Sequence, residues 1–174
     1  MLWTILLLAG QSPSAAGAPL WIDVPFAAQT KDGCGSAAIA MVLQYWSQKQ
    51  HLPPGANGDP ESIQAALFSR SAHGIYASRM KHYFEQAGFA AYPFHADWSD
   101  LERNIAEGRP LIVSLKESTA LHYVVVTGID TEHHYVFTND PARQKMLRSS
   151  RAAFESEWSG TQNWALLAVP RSSR

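Results

Sequence analysis

The sequence predicts an α+β domain, with helices through its first half and antiparallel strands in its second. Three observations carry this. Apolar residues recur at three- and four-residue steps up to about residue 107 and then gather into short β-rich runs. Glycines stand just beyond two of the helical segments, at Gly88 and Gly108, where a C-terminal cap belongs. Two runs rich in Val, Tyr, Phe and Thr, Tyr123–Ile129 and Tyr135–Thr138, flank the polar Asp130–His134 and so read as a hairpin.

The elements follow in order. Residues 1–18 combine an apolar run, MLWTILLLAG, with the small and turn-prone QSPSAAGA, the pattern of a signal peptide cleaved near Ala16–Ala18. The expectation is a chain exported to a bacterial periplasm or secreted, with 19–174 as a single domain. Leu20–Phe26 is short and β-prone, and Gln29–Gly33 reads as a loop. Cys34 to about Ser47 is a helix, with Ala38, Met41, Val42 and Tyr45 on one face. Leu52–Pro60 is turn-rich. Further helices are expected over Glu61–Ser69, Ser78–Ala87 and Ser99–Glu107, the last begun by a polar cap near Asp97–Ser99. Strands are expected at Phe89–Phe94, Leu111–Leu115 and Ala165–Val169, the final one stopped by Pro170. Trp158 and Trp164 are expected to pack the last strand on the sheet.

Composition narrows the function. The chain has 174 residues, 46% of them apolar and 17% charged, with a net charge of −1. That suits a folded domain with a real core and gives no basic surface for nucleic acid. Beyond the leader no apolar stretch is long enough to cross a bilayer. One cysteine and no HExxH argue against a metal site, and neither a G-x-S-x-G elbow nor a P-loop occurs. No cofactor is expected, and the expected partner is a peptide or protein substrate.

The single cysteine is where chemistry gathers. Cys34 sits between Gly33 and Gly35 at the start of a predicted helix, where unpaired N–H groups and a partial positive charge favour a thiolate. The flanking glycines leave room for a carbonyl to approach. The Cys34 backbone N–H offers one half of an oxyanion hole, and the Gln29 side-chain amide is a candidate for the other, unless it is an exposed loop residue. His122, between a polar turn and the strand YVVV, is the candidate base. If Ile129 faces His133 across a three-residue loop, His122 lies directly opposite Asp140, whose carboxylate would orient the ring. A register shifted by one would favour Asn139 instead, and Asp140 before Pro141 also suits a simple turn.

These segments resemble a known family. DVPFAAQTKDGCGSAAIAMVLQYW is similar to the opening of the bacteriocin-leader-processing cysteine peptidases, cysteine peptidase family thirty-nine, particularly its stand-alone exported relatives. HYVVVTGID and YVFTNDPA resemble the family's His and Asp segments, and FESEWSGTQNWALLAVP its closing segment. The resemblance implies a papain-like fold in which the nucleophile's helix packs on a C-terminal antiparallel sheet. It also implies Cys34 as nucleophile, His122 as base, Asp140 as orienting acid and Gln29 as oxyanion donor. Peptide-bond hydrolysis is the expected activity. Acyl transfer on the same triad and a non-catalytic peptide-binding module are the alternatives.

Overall fold

The computed structural model describes residues 19–51, 58–118 and 120–171, so the leader and most of the turn-rich loop lie outside the described residues. In chain order come β1 (Leu20–Trp21), α1 (Cys34–Lys49), α2 (Pro60–Leu67), α3 (Ala77–Gln86), β2 (Phe89–His95) and α4 (Trp98–Ala106). Then follow β3 (Leu111–Glu117), β4 (Ala120–Asp130), β5 (Tyr135–Asp140), β6 (Gln144–Ser150), α5 (Arg151–Ser159) and β7 (Trp164–Pro170). One antiparallel sheet runs β2-β7-β3-β4-β5-β6, and β1 pairs with β4. The α+β expectation holds, with the cysteine's helix packed on the sheet.

Local rules account for most of the helices. Asp59 caps α2 through the Ser62 amide, and Pro60 takes the first helical position. Asp97 and Asp100 form a reciprocal capping box on α4. Gly88 and Gly108 take φ of +88° and +71° just beyond α3 and α4, as their positions suggested. α1 is the exception, since its N-cap is Gly33 and no side chain caps it. A missing cap costs about 1 kcal/mol. Against that, α1 buries ten residues, including Ile39 and Met41 with no exposure. Each large aliphatic side chain so buried contributes about 2 kcal/mol. Packing therefore holds α1, and its first N–H groups are left without side-chain partners.

Two apolar layers sandwich the sheet. Ile112, Val125, Leu166 and Ala168 meet α1 and α3, while Val113, Val124, Val126 and Ala165 meet α4 and α5. Trp158 is buried and donates from Nε1 to the Trp164 carbonyl, so this pair does pack the last strand. The β6 strand and the α5 helix were not expected. β6 is a polar, half-exposed edge strand, and the apolar face of α5 amounts to Phe154 and Trp158, one turn apart. The expected strand Leu20–Phe26 is shorter than predicted. Only Leu20 and Trp21 join the ladder, and Pro25 and the side chain of Asn139 take over beyond.

The β4–β5 hairpin corrects the predicted register. Asp130 pairs with Tyr135 and Gly128 with Phe137, but Val126 pairs with Thr138 and Val125 with Asn139. Thr127 is thus an extra residue, a β-bulge. Beyond it Asp140 falls opposite Val124, not His122. Val124 and His122 are two residues apart on one strand, so His122 and Asp140 share a face as diagonal neighbours. Without the bulge Asp140 would fall opposite Val125, on the other face.

Asn139, fully buried, points the other way. Its Nδ2 donates to the carbonyls of Val24 (3.0 Å) and Pro25 (3.3 Å), and its Oδ1 accepts from the Met146 amide (3.0 Å). It does not orient the histidine. It ties the segment leading to Cys34 onto the sheet. Asn139→Ala strands one buried and two part-buried backbone groups and should cost about 2–4 kcal/mol. The check is a lowered urea midpoint at unchanged m-value.

Candidate active site

Cys34 is the first residue of α1 and is partly exposed. The turn before it closes with the Gly33 amide on the Thr30 carbonyl (3.0 Å), and Asp32 takes φ of +57° within it. Gln64 of α2 holds this turn in place. Its Oε1 accepts from the hydroxyls of Thr30 (2.9 Å) and Ser36 (3.2 Å), and its Nε2 donates to the Lys31 carbonyl (2.9 Å). A Cβ at Gly33 would lie 2.6 Å from that same Oε1, so the clamp and a side chain at residue 33 exclude each other. Gly35 is backed by Ile75, 3.1 Å from where its Cβ would be. Sequence reasoning passed over Gln64, which lies thirty residues from Cys34 and looks like any polar residue on a helix.

His122 lies inside β4 rather than ahead of it, paired with Leu115 of β3. It is 8% exposed. Its Nε2 is 2.7 Å from Asp140 Oδ1, which leaves Nδ1 for the thiol. Asp140 is 2% exposed; its Oδ1 also accepts from the Ala142 amide (2.9 Å), and its Oδ2 lies 3.5 Å from Arg143 Nε. Arg143 Nη2 continues to Glu117 Oε1 (3.0 Å).

The electrostatics follow from these contacts. Burial alone would lower the His122 imidazole. Its hydrogen bonds to Asp140 and Cys34, with the charges of both, outweigh burial and hold it up, from 6.5 to about 10. Burial likewise works to raise Asp140, but the hydrogen bond and charge of His122, the Ala142 amide and Arg143 keep it below the usual carboxylate range. Burial, aided by the charge of Cys34, pushes the neighbouring Tyr123 phenol up to about 12. A charged imidazole is thus favoured between the Asp140 carboxylate and the Cys34 sulfur, the arrangement that readies a thiol as a nucleophile.

Gln29 lies in the loop five residues before Cys34. Its backbone N–H donates to the Pro141 carbonyl (2.9 Å), which fastens the loop before Cys34 to the residue after Asp140. Its Oε1 is buried and has no hydrogen-bond partner.

Glu117, His122 and Asp140 bring possible ligand atoms within 4.8 Å of one another. Two of those atoms are spent on the His122–Asp140 bond, and the Arg143 guanidinium already sits against both carboxylates. A pocket lined by Trp46, Tyr92, Arg109, Leu167 and Arg171 lies at the β2–β7 side and includes none of these residues. No helix among the described residues is long and apolar enough to cross a membrane.

Comparison with known proteins bears on this arrangement. A family model described as Peptidase_C39 like family matches residues 21–166. The transport and processing ATP-binding protein ComA of Streptococcus pneumoniae is 28% identical over 127 residues, 73% of this chain and 16% of that protein. The lactococcin-G-processing and transport protein LagD of Lactococcus lactis is 32% identical over 136 residues, 76% of this chain and 17% of that protein. The chain thus spans about a sixth of the length of these curated relatives. Among solved structures, a C39-like peptidase from Bacillus anthracis superposes with a TM-score of 0.67 at 17% identity, covering 90% of this chain and all of that one. The peptidase domain of Streptococcus ComA gives 0.65 at 21% identity, covering 86% and 100%. A double-glycine-motif protease from a transporter, solved with its leader peptide, gives 0.63 at 22%, covering 87% and 94%. At these identities the structural likeness is one of fold.

Proposed function

The chain belongs to the peptidase C39-like family of cysteine peptidases, and from that membership we propose that it hydrolyses peptide bonds through Cys34, His122 and Asp140. The observation that supports this best is the convergence of the three. The imidazole bonds Asp140 through Nε2 and turns its other nitrogen to the cysteine at an uncapped helix start. In this reading the Cys34 thiolate attacks the scissile carbonyl carbon. The oxyanion is held by the Cys34 backbone N–H and by the Gln29 amide. With Gln29 Oε1 enclosed, the Nε2 end is the one offered to substrate. His122 gives its proton to the leaving amine as the C–N bond breaks. Water, deprotonated by the now neutral imidazole, then attacks the thioester; the C–S bond breaks, the acid product leaves, and the thiolate and charged imidazole are restored. Asp140 holds the ring throughout and stabilises its charge whenever it carries the extra proton.

The substrate in this reading is a peptide. The double-glycine leader peptides of the transporter-borne relatives are one class to test. Profiling with a diverse peptide library that includes double-glycine sequences should show new carboxyl termini at a consistent motif, at near-neutral pH. Repeating it with an amine or thiol acceptor separates hydrolysis from acyl transfer. Ligated products in excess of hydrolysed ones, or no cleavage of any peptide, would overturn the hydrolase reading.

A further inference from the structure

We infer that Arg143 and Glu117 form a charge-tuning pair over the back of the triad, positioning Asp140 and setting how firmly His122 holds its proton. The inference rests on reading Cys34 and His122 as the reacting pair.

The geometry is specific. Arg143 is fixed to Asp140 twice, by its own backbone N–H on the Asp140 carbonyl (3.0 Å) and by Nε against Oδ2 (3.5 Å). Oδ1 is thereby left to the ring and to the Ala142 amide. A carboxylate with one oxygen engaged by two N–H groups and the other facing a guanidinium has little freedom to turn about its own bond. Glu117 ends β3, two residues beyond Leu115, the cross-strand partner of His122, so it lies on the face that carries His122. It then takes the Nη2 end of Arg143.

Among the described residues, the titratable and charged groups around the His122–Asp140 pair come from four elements. They are Cys34 from α1, Asp140 from β5, Glu117 from β3 and Arg143 from the β5–β6 turn. Arg143 is the cation of the set, and it opposes a second positive charge on His122. Glu117 does the reverse, both directly and by partly neutralising Arg143. The two residues therefore act on the histidine with opposite sign. An ordinary surface ion pair would leave the histidine indifferent to both.

The test follows the His122 imidazole by NMR through a pH titration of the full chain, in Arg143→Gln, Glu117→Gln, the double variant and Arg143→Lys. The expected midpoint rises by about half a pH unit in Arg143→Gln and falls by about as much in Glu117→Gln. In the double variant it returns close to the parent, and Arg143→Lys leaves it nearly unchanged. Half-molar salt should shrink both shifts, since both side chains are partly exposed. Shifts of the same sign, no shift in either single variant, or an Arg143→Lys shift as large as that of Arg143→Gln would overturn the inference. The readout needs no turnover. A chain that cleaves no peptide yet shows the opposed shifts would sink the hydrolase reading and leave the tuning pair standing.

Discussion

Cys34→Ala is expected to abolish peptide cleavage, lowering kcat by on the order of 10⁴-fold or more, with the fold retained. The size follows from what is removed. No other sulfur exists in the chain as a thiol, and the Thr30 hydroxyl is committed to Gln64 and that of Ser36 to Gly33 and Gln64, so neither stands ready to replace the nucleophile. The fold should tolerate the change because α1 is held by residues further along it, Ile39, Met41 and Val42 among them, and Cys34 itself is partly exposed. Kinetics on the library-derived peptide, with circular dichroism and thermal melting alongside, make the check. Cleavage at the parent rate by a folded Cys34→Ala protein would remove Cys34 from the mechanism.

Replacing Asp140 separates orientation from charge. Asp140→Ala takes away the Oδ1 that accepts from His122 and Ala142, and kcat/KM should fall by about 10²–10⁴-fold. Asp140→Asn keeps an oxygen in place to hold the ring but loses the charge, so the rate should be retained on the acid side of the imidazole's lowered midpoint and reduced at neutral pH and above. What should move is the alkaline limb of the pH profile, down from about 10 towards the ordinary histidine value of about 6.5. The stability effect has the same origin. A histidine raised in the folded state contributes stability that is fully present below 6.5 and is lost as pH climbs through about 10. Asp140, held low, contributes above the ordinary carboxylate range and loses that contribution on acidification. In Asp140→Asn both dependences should flatten, which melting temperatures across pH would register. An unchanged alkaline limb in a folded Asp140→Asn protein would mean that the carboxylate does not charge the ring.

Much of this site was legible in the sequence because its chemistry depends on residue type. A lone cysteine between glycines ahead of an apolar helix, a histidine in a Val-rich strand and an acid in the next strand restrict the choices. Geometry was less legible. The assumed hairpin paired His122 with Asp140 directly, whereas the true loop is longer and a bulge at Thr127 shifts the pairing. That bulge sits beside Gly128, where a Cβ would come within 2.9 Å of the Leu20 carbonyl, so its surroundings are set by a strand more than a hundred residues earlier. No local pattern encodes such a contact. Gln64, Arg143 and Glu117 were missed for a related reason: each is an ordinary polar surface residue until the fold brings it to its partners. Asn139 was weighed for the wrong task, because the choice between it and Asp140 is one of strand parity.

That parity makes the site a matter of counting. Substitutions between His122 and Asp140 change what the side chains are, but one residue deleted from the paired stretch Tyr123–Val126 would move His122 to the opposite face of the sheet from Asp140. The turn Thr131–His134 lies outside the count, since residues can be added there while the ladder on either side keeps its pairing. Over evolutionary time the hairpin's tip is therefore free to drift in length, and its middle is not.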